Sequence, residues 1–308
     1  MALGDLFKTM KKPHSVLGEL DRYLLRLQGN DFLDQEHARE QGVWHPSEIS
    51  TVDCIRALVY RWLETPKSDD KGIRPQIKRL FDVGHSYGDQ IAKYFWDMGI
   101  LLGRWHCVEC KHTWLDLENP SPRKCDNCGT KLTIWYNLHY YETPIRIDRG
   151  DKPAVAGHCD LVFLDSHSDS GLRVGEVKTI KSHELGWTEQ MLRERNYFQK
   201  LNEPLPQHLA QLNLYNEALG IDEGVVLYGN KNDQQKKEFL TKKLDHVINQ
   251  QFIKMEQTER ALEQGYLPEK ISDNKNSADC KYCPFKSLCH GEPHSFSDVD
   301  HRNKEVTV

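Results

Sequence analysis

Two carboxylates and one ammonium stand at intervals that suit metal-assisted chemistry. Asp160 lies in the run AGHCDLVFL and Glu176 in VGEVKTI, with fifteen residues between them, and Lys178 follows two residues on. On an extended strand, residues two apart point to the same face, so Glu176 and Lys178 would stand side by side. Val174 and Val177 remain for packing. The turn residues SHSDS between the two runs suggest a hairpin, and pairing across it would bring Asp160 toward Glu176. Two carboxylates hold a hard cation such as magnesium or manganese through oxygen and leave positions for water and phosphate. Such an ion acidifies bound water and draws charge from a phosphate. Lys178 would orient the nucleophilic water or stabilise developing negative charge. The set suits phosphodiester hydrolysis, although a D-x15-E-x-K spacing alone also arises by chance in surface hairpins.

The nine cysteines fall into two groups of four and one left over. Cys107, Cys110, Cys125 and Cys128 form two CxxC knuckles separated by fourteen residues, and Gly129 permits a tight turn after the second. This spacing is that of a zinc ribbon with four thiolate ligands, and a closed site of that kind is structural. Cys280, Cys283 and Cys289 stand close together in CKYCPFKSLC. Short spacing of this kind is typical of a thiolate-bound cluster, and three thiolates leave one position to fill. Cys54 fills it if the C-terminus folds back on the N-terminal helices. Zinc could occupy the same four sulfurs. Cys159, beside Asp160, reads as a strand residue facing the core.

The elements that must position these groups are read from periodicity and turn chemistry. Residues 1–105 are expected to be mostly helical, with Leu17, Leu20, Leu24, Leu25 and Leu27 near helical spacing. TVDCIRALVYRWLE and IKRLFDVGHSYGDQIAKYFWDMGI read as further amphipathic helices separated by TPKSDDKGIRP. Residues 106–131 form an inserted cysteine module. Residues 132–270 hold short strands (TIWYNLHYYETPIRI, AGHCDLVFLD, GLRVGEVKTI), a helix over 184–219, the buried strand GVVLYGN and a polar helix over 233–265. Residues 271–308 carry the cysteine trio in an irregular segment, and the tail SFSDVDHRNKEVTV is expected to be poorly ordered.

Context sharpens the carboxylate pattern. In QHLAQLNLYNEALG, Gln211 and Tyr215 are four apart and share a helix face. His85, in DVGHSYGDQI, is a candidate third ligand through an imidazole nitrogen, with a structural histidine as the alternative. The ordered set GHCDLVF, GEVKTI and QLNLY resembles the RecB-type branch of the PD-(D/E)XK nucleases. It is especially similar to the iron–sulfur nucleases of CRISPR adaptation and their phage relatives. The resemblance covers about residues 45–290, apart from the inserted module. It implies a restriction-endonuclease-like α/β fold, a mixed central sheet flanked by helices, and a Mg- or Mn-dependent deoxyribonuclease, an exonuclease acting at DNA ends. Asp160 and Glu176 would be metal ligands, Lys178 the catalytic lysine, and Gln211 with Tyr215 the support of the DNA strand. It further implies a 4Fe–4S cluster on Cys54, Cys280, Cys283 and Cys289, stapling the two ends around the core. The family's histidine follows a glycine by four positions. That would be position 88, where this chain has Gly88, whereas His85 directly follows Gly84.

Composition limits the alternatives. Apolar residues make up 38% and charged residues 28%, and no run approaches the roughly 20 apolar residues of a membrane span. The N-terminus MALGDLFKTMKKPHSV lacks the apolar stretch of a secretory signal, so a cytoplasmic protein is expected. A net charge of −5 does not advertise nucleic-acid binding, but a local basic groove would suffice. Lys178 with Lys181, Arg193 with Arg195, and Lys236, Lys237, Lys242 and Lys243 could line one, or be solvated helix faces. The cysteine module could touch DNA through Arg104, Lys111, Arg123, Lys124 and Trp114, or serve as support alone. No GxxxxGK[ST] loop occurs, so a helicase, recombinase or single-strand-binding protein would be a separate partner. Two other functions compete: a non-catalytic DNA-binding or assembly subunit, and a redox or radical enzyme using the cluster.

Overall fold

The computed structural model describes residues 40–67, 75–180, 197–292 and 294–302. Lys181, Arg193, Arg195 and the leucines at 17–27 lie outside the described residues. The chain divides into two compact units. One holds residues 1–39 and 71–85, and its described part is the first half of helix α3 (Pro75–Asp97). The other holds residues 40–70 and 86–308.

Its centre is a mixed sheet in the order β2-β1-β6-β7-β8-β9, formed by β1 (Leu101–Cys107), β2 (Thr113–Asp116), β6 (Leu161–Leu164), β7 (Leu172–Ile180), β8 (Glu223–Asn230) and β9 (Lys236–Lys242). β3 (Leu138–Tyr141) also pairs with β1, and β4 (Thr143–Arg149) forms a separate hairpin with β5 (Lys152–Cys159). Neighbours are antiparallel except β7 and β8. That parallel pair needs a crossover, which carries helices α4 (Tyr197–Lys200) and α5 (Pro206–Leu219). Because β7 is central, its apolar residues bury on both faces: Val174 packs with Val162, Val226 and Tyr215, and Val177 lies against the cluster of Tyr87, Ile91 and Phe163.

Helix α5 begins with Pro206 and ends at Gly220, which takes the left-handed conformation (φ 65°) that a helix stop favours. It is buried from Ala210 to Asn216, polar residues included, because it lies between the sheet and helices α1 (Pro46–Thr51) and α6 (Asp245–Gln264). The Asn213 side-chain oxygen accepts the Leu244 N–H at 2.6 Å, and the Asn216 side-chain amide donates to the Ile221 carbonyl at 2.5 Å. Helix α2 (Ile55–Trp62) packs with α6 and with the C-terminal helices α7 (Ala278–Lys281), α8 (Lys286–His290) and α9 (Phe296–Val299) through Tyr60, Leu63, Ala261, Phe285 and Val299.

Three expectations are corrected. Lys236–Lys242 is a strand and not part of a polar helix. Lys237, Phe239 and Thr241 turn inward with period two against β8, and the helix starts only at Asp245. The four lysines expected in a basic groove are spread along this edge. Lys237 donates to the Gln199 and Leu201 carbonyls, Lys242 pairs with Asp169, and Lys243 pairs with Glu217. The C-terminal tail is ordered as far as its described part reaches. Ser295 and Asp298 form a capping box that starts α9, and Val299 is buried beneath it.

Candidate active site and metal centres

Asp160 is not inside a strand: it occupies the bend between β5 and β6. β6 and β7 form the expected hairpin, with Leu161 opposite Gly175. One step further along that register sets Asp160 opposite Glu176. One Asp160 carboxylate oxygen accepts the Val177 N–H at 2.7 Å, and the Asp160 carbonyl accepts the Tyr140 hydroxyl at 2.9 Å. The carboxylate is thus fixed by the neighbouring strand. The Lys178 ammonium lies 3.8 Å from that oxygen and also contacts the Glu176 carboxylate.

Glu176 is fully buried, and neither of its carboxylate oxygens accepts a hydrogen bond of good geometry. Burial and then the Asp160 charge push its pKa up to about 8, against the opposing pull of Lys178. Burial would lower the Lys178 pKa, but Glu176 and Asp160 outweigh it and the ammonium is held charged. Buried carboxylate oxygens met only by Lys178 fit a hard cation, which satisfies their remaining lone pairs by coordination.

Sequence reasoning missed a third carboxylate. Glu142, at the junction of β3 and β4, opens to solvent, yet protein atoms crowd its carboxyl. That desolvation, followed by the Asp160 charge, raises its pKa to about 8, with Lys178 opposing and Asp89 adding to the rise. The only signal in the sequence is its place at the end of a strand-like run. His208 on α5 was missed too. Its ring hydrogen-bonds the Tyr228 hydroxyl at 2.8 Å, and burial with the Lys178 charge pushes its pKa down to about 4, so it is neutral at pH 7.

Gln211 and Tyr215 are both buried on α5, and the Gln211 amide donates to the Tyr215 hydroxyl at 2.5 Å. Burial and then Glu176 and Asp160 raise the Tyr215 pKa well above that of free tyrosine, which locates the phenol beside the carboxylates. His85 is exposed on the half of α3 that belongs to the other unit. Cys159 is buried in the core as expected.

The cysteine module hangs from the end of β1. Its four sulfurs lie within 4.8 Å of one another, and among the described residues no other such group is as compact. Cys107 and Cys128 are 3.8 Å apart, Cys110 and Cys125 3.7 Å. Four thiolates about 2.3 Å from a zinc ion form a tetrahedron with edges of about 3.8 Å, so the arrangement fits a metal without rebuilding. Of the side chains expected to meet DNA, Arg123 is committed elsewhere: it lies 3.5 Å over the Trp96 ring and donates to the Trp96 carbonyl. Trp114 is half-buried and stacked on His112.

Cys54, Cys280, Cys283 and Cys289 line one cavity of about 810 Å³ between α2, α6 and the C-terminal helices. Burial raises the thiol pKa of Cys283, with Cys54 and Cys280 adding to it. Burial likewise raises that of Cys289, where Arg56 opposes and Cys54 adds. Residue 54 and residues 280–289 therefore face one cavity.

Neither family models nor curated proteins match the chain. Several solved structures are distantly similar. SSO0001 is 14% identical, over 91% of this chain and 99% of its own, at a TM-score of 0.42. LHK-Exo bound to dAMP, the alkaline exonuclease of Laribacter hongkongensis, is 12% identical over 72% and 89% at 0.35. Rai1 of Scheffersomyces stipitis, bound to (3'-NADP)+ and calcium, is 14% identical over 79% and 67% at 0.25. At TM-scores this low, none of them assigns the chain to a family.

Proposed function

We propose that the chain is a divalent-metal-dependent DNA nuclease of the PD-(D/E)XK type, an exonuclease acting at DNA ends. One observation carries the reading: Asp160, Glu176 and Lys178 converge on the central strand β7, with the Glu176 carboxylate buried and met only by Lys178. Asp160 and Glu176 would hold the magnesium or manganese ion, which supplies an acidified water and charge neutralisation at the phosphate. Asp160 is braced for this by the Val177 N–H. Lys178, kept charged by its two carboxylates, orients the water and stabilises the negative charge that develops on the phosphate. Gln211 and Tyr215 support the site and the DNA strand from α5. Neutral His208 sits beside Lys178 without competing for the cation's charge.

The two cysteine sites take different metals in this reading. The ribbon binds zinc, supported by its sulfur spacing. The cavity between the chain ends binds a 4Fe–4S cluster as a structural staple. Its four thiols line one cavity of about 810 Å³, room enough for a polynuclear cluster. DNA is the partner proposed, with unwinding left to a separate helicase or recombinase.

The test is digestion of end-labelled single- and double-stranded DNA with magnesium or manganese. Wild type should release nucleotides, and Asp160→Ala, Glu176→Ala and Lys178→Ala should each lose at least about 100-fold in rate while remaining folded. Near-normal cleavage by any of the three would mean that the active centre lies elsewhere. A folded wild type that binds DNA and never cuts it would make the chain a non-catalytic DNA-binding subunit.

A further inference from the structure

The turn that leads into β3 carries a display of aromatic rings that core packing does not explain. Trp135 adopts φ 61°, a region that bulky residues rarely enter, and it is 38% exposed. Tyr136 beside it is 80% exposed. The turn holding them is rigid. Asn137 is buried, accepts the Thr133 N–H at 2.8 Å and donates to the Lys131 carbonyl at 3.0 Å, while Trp135 N–H donates to the Leu138 carbonyl at 2.8 Å. Ile134 and Leu138 anchor it in the core. Strain held in place by such a framework marks a position kept for something other than stability.

The rings continue along the sheet. Leu138 and Tyr140 point inward, so β3 turns His139 and Tyr141 to its outer face. The Trp135 and His139 rings are 6.5 Å apart, His139 and His106 6.1 Å, and His106 and Tyr141 6.1 Å. The Arg104 guanidinium lies 4.9 Å over Tyr141. The line ends at Glu142, the residue after Tyr141, and three residues of extended chain from His139 to Glu142 span about 10 Å. Trp135 also donates its indole N–H to the Asp89 carbonyl at 3.3 Å, and the Asp89 charge is felt at Glu142.

We infer that Trp135, Tyr136 and His139 form a stacking platform for the unpaired bases of a DNA single strand, which feeds the strand's end toward Asp160 and Glu176. This rests on the nuclease reading for its direction and names the form of substrate that site takes. Successive rings on a sheet face, with an arginine among them, match nucleobases by stacking, whereas a duplex hides its base faces. A phosphate-only contact would need cations and not rings.

The test reads binding and not cleavage, so it is independent of catalysis. Fluorescein-labelled oligo(dT), the same length of duplex, and an oligomer with abasic sites in place of bases are titrated with the full-length, zinc-loaded protein without added magnesium. Zinc content and melting temperature serve as folding checks. Tyr136→Ala should weaken oligo(dT) binding by about tenfold and leave the abasic oligomer and the duplex unchanged. Tyr136→Phe, which keeps the ring, should bind as wild type does. Unchanged oligo(dT) binding by Tyr136→Ala, an equal loss on all three probes, or a wild type that prefers duplex would each overturn the platform. If oligo(dT) binding depends on Tyr136 but no DNA is ever cut, the platform stands and the nuclease reading falls.

Discussion

Glu142 and Glu176 hold protons more tightly than ordinary carboxylates do, with pKa values pushed to about 8 by burial and by Asp160. A carboxyl whose pKa is raised on folding stabilises the fold below its unfolded value and loses that contribution as pH rises through the folded value. The metal-free protein should therefore lose stability progressively as pH rises from the ordinary carboxylate range to about 8, and level off above it. His208, whose pKa is depressed to about 4, opposes this below about pH 6.5, so the fall is cleanest between about pH 6.5 and 8. A divalent cation replaces the protons and removes the like-charge repulsion. We predict that melting temperature falls across this range without metal, and that millimolar magnesium or manganese flattens the slope. Glu176→Gln should flatten it without metal. A metal-free protein whose stability is level from about pH 6.5 to 8 would show that these carboxyls are ionised without strain. Glu142→Gln tests the third carboxylate. It should weaken cation binding while leaving Asp160 and its Val177 contact in place.

At the scale of elements, the β4–β5 hairpin and helix α6 are joined by a buried ion pair. The Arg149 guanidinium meets the Glu259 carboxylate at 2.5 and 3.1 Å, and the same carboxylate accepts the Trp44 indole N–H at 2.7 Å. Both charged side chains are nearly inaccessible. Removing one partner leaves the other buried and uncompensated, so Glu259→Ala should cost about 3–5 kcal/mol in urea unfolding. Loss of under about 1 kcal/mol would mean that water reaches Arg149. None of this pairing could be read in the sequence, where the partners are 110 residues apart and neither belongs to a motif. What could be read was local: the β6–β7 hairpin from SHSDS, the buried β8 from GVVLYG, and the knuckles from their spacing. β9 reads as a polar helix because its inward positions are Lys237, Phe239 and Thr241, of which only Phe239 is apolar, so the strand looks polar all round. Glu142 escaped because it stands opposite Asp160 only once β4 and β5 pair, with Thr143 opposite Cys159. Buried α5 gave no warning either, since its glutamine and asparagines suit a surface helix until α1 and α6 cover it.

For the whole molecule, the question is what holds residue 54 against residues 280–289. An apolar cluster lies at that seam: Tyr60 packs on Phe285 at 5.3 Å between ring centres, beside Ala57, Leu63 and Val299, and its hydroxyl hydrogen-bonds His294 at 2.7 Å. Two backbone-linked contacts, Thr65 to the Val299 carbonyl and His301 to the Leu63 carbonyl, finish the seam. Against these stands a loop of more than two hundred residues. Closing it covalently removes about 5 kcal/mol of unfolded-chain entropy in a simple chain model, more than this seam's hydrogen bonds supply. A metal cluster in the cavity lined by Cys54, Cys280, Cys283 and Cys289 would act as that closure. Protein purified without oxygen should then be brown and contain about four iron and one zinc per chain, if the thiolate sites are filled as assigned. Cys283→Ser should lower melting temperature and solubility, and cleavage should fall in step with the folded fraction. Phosphodiester hydrolysis moves no electrons, so the activity of intact protein should not change when the cluster is reduced. A Cys283→Ser variant as stable as wild type, with activity that follows the redox state of the remaining cofactor, would replace the staple with a regulatory centre. Colourless protein with two zinc ions would keep the staple and change its metal.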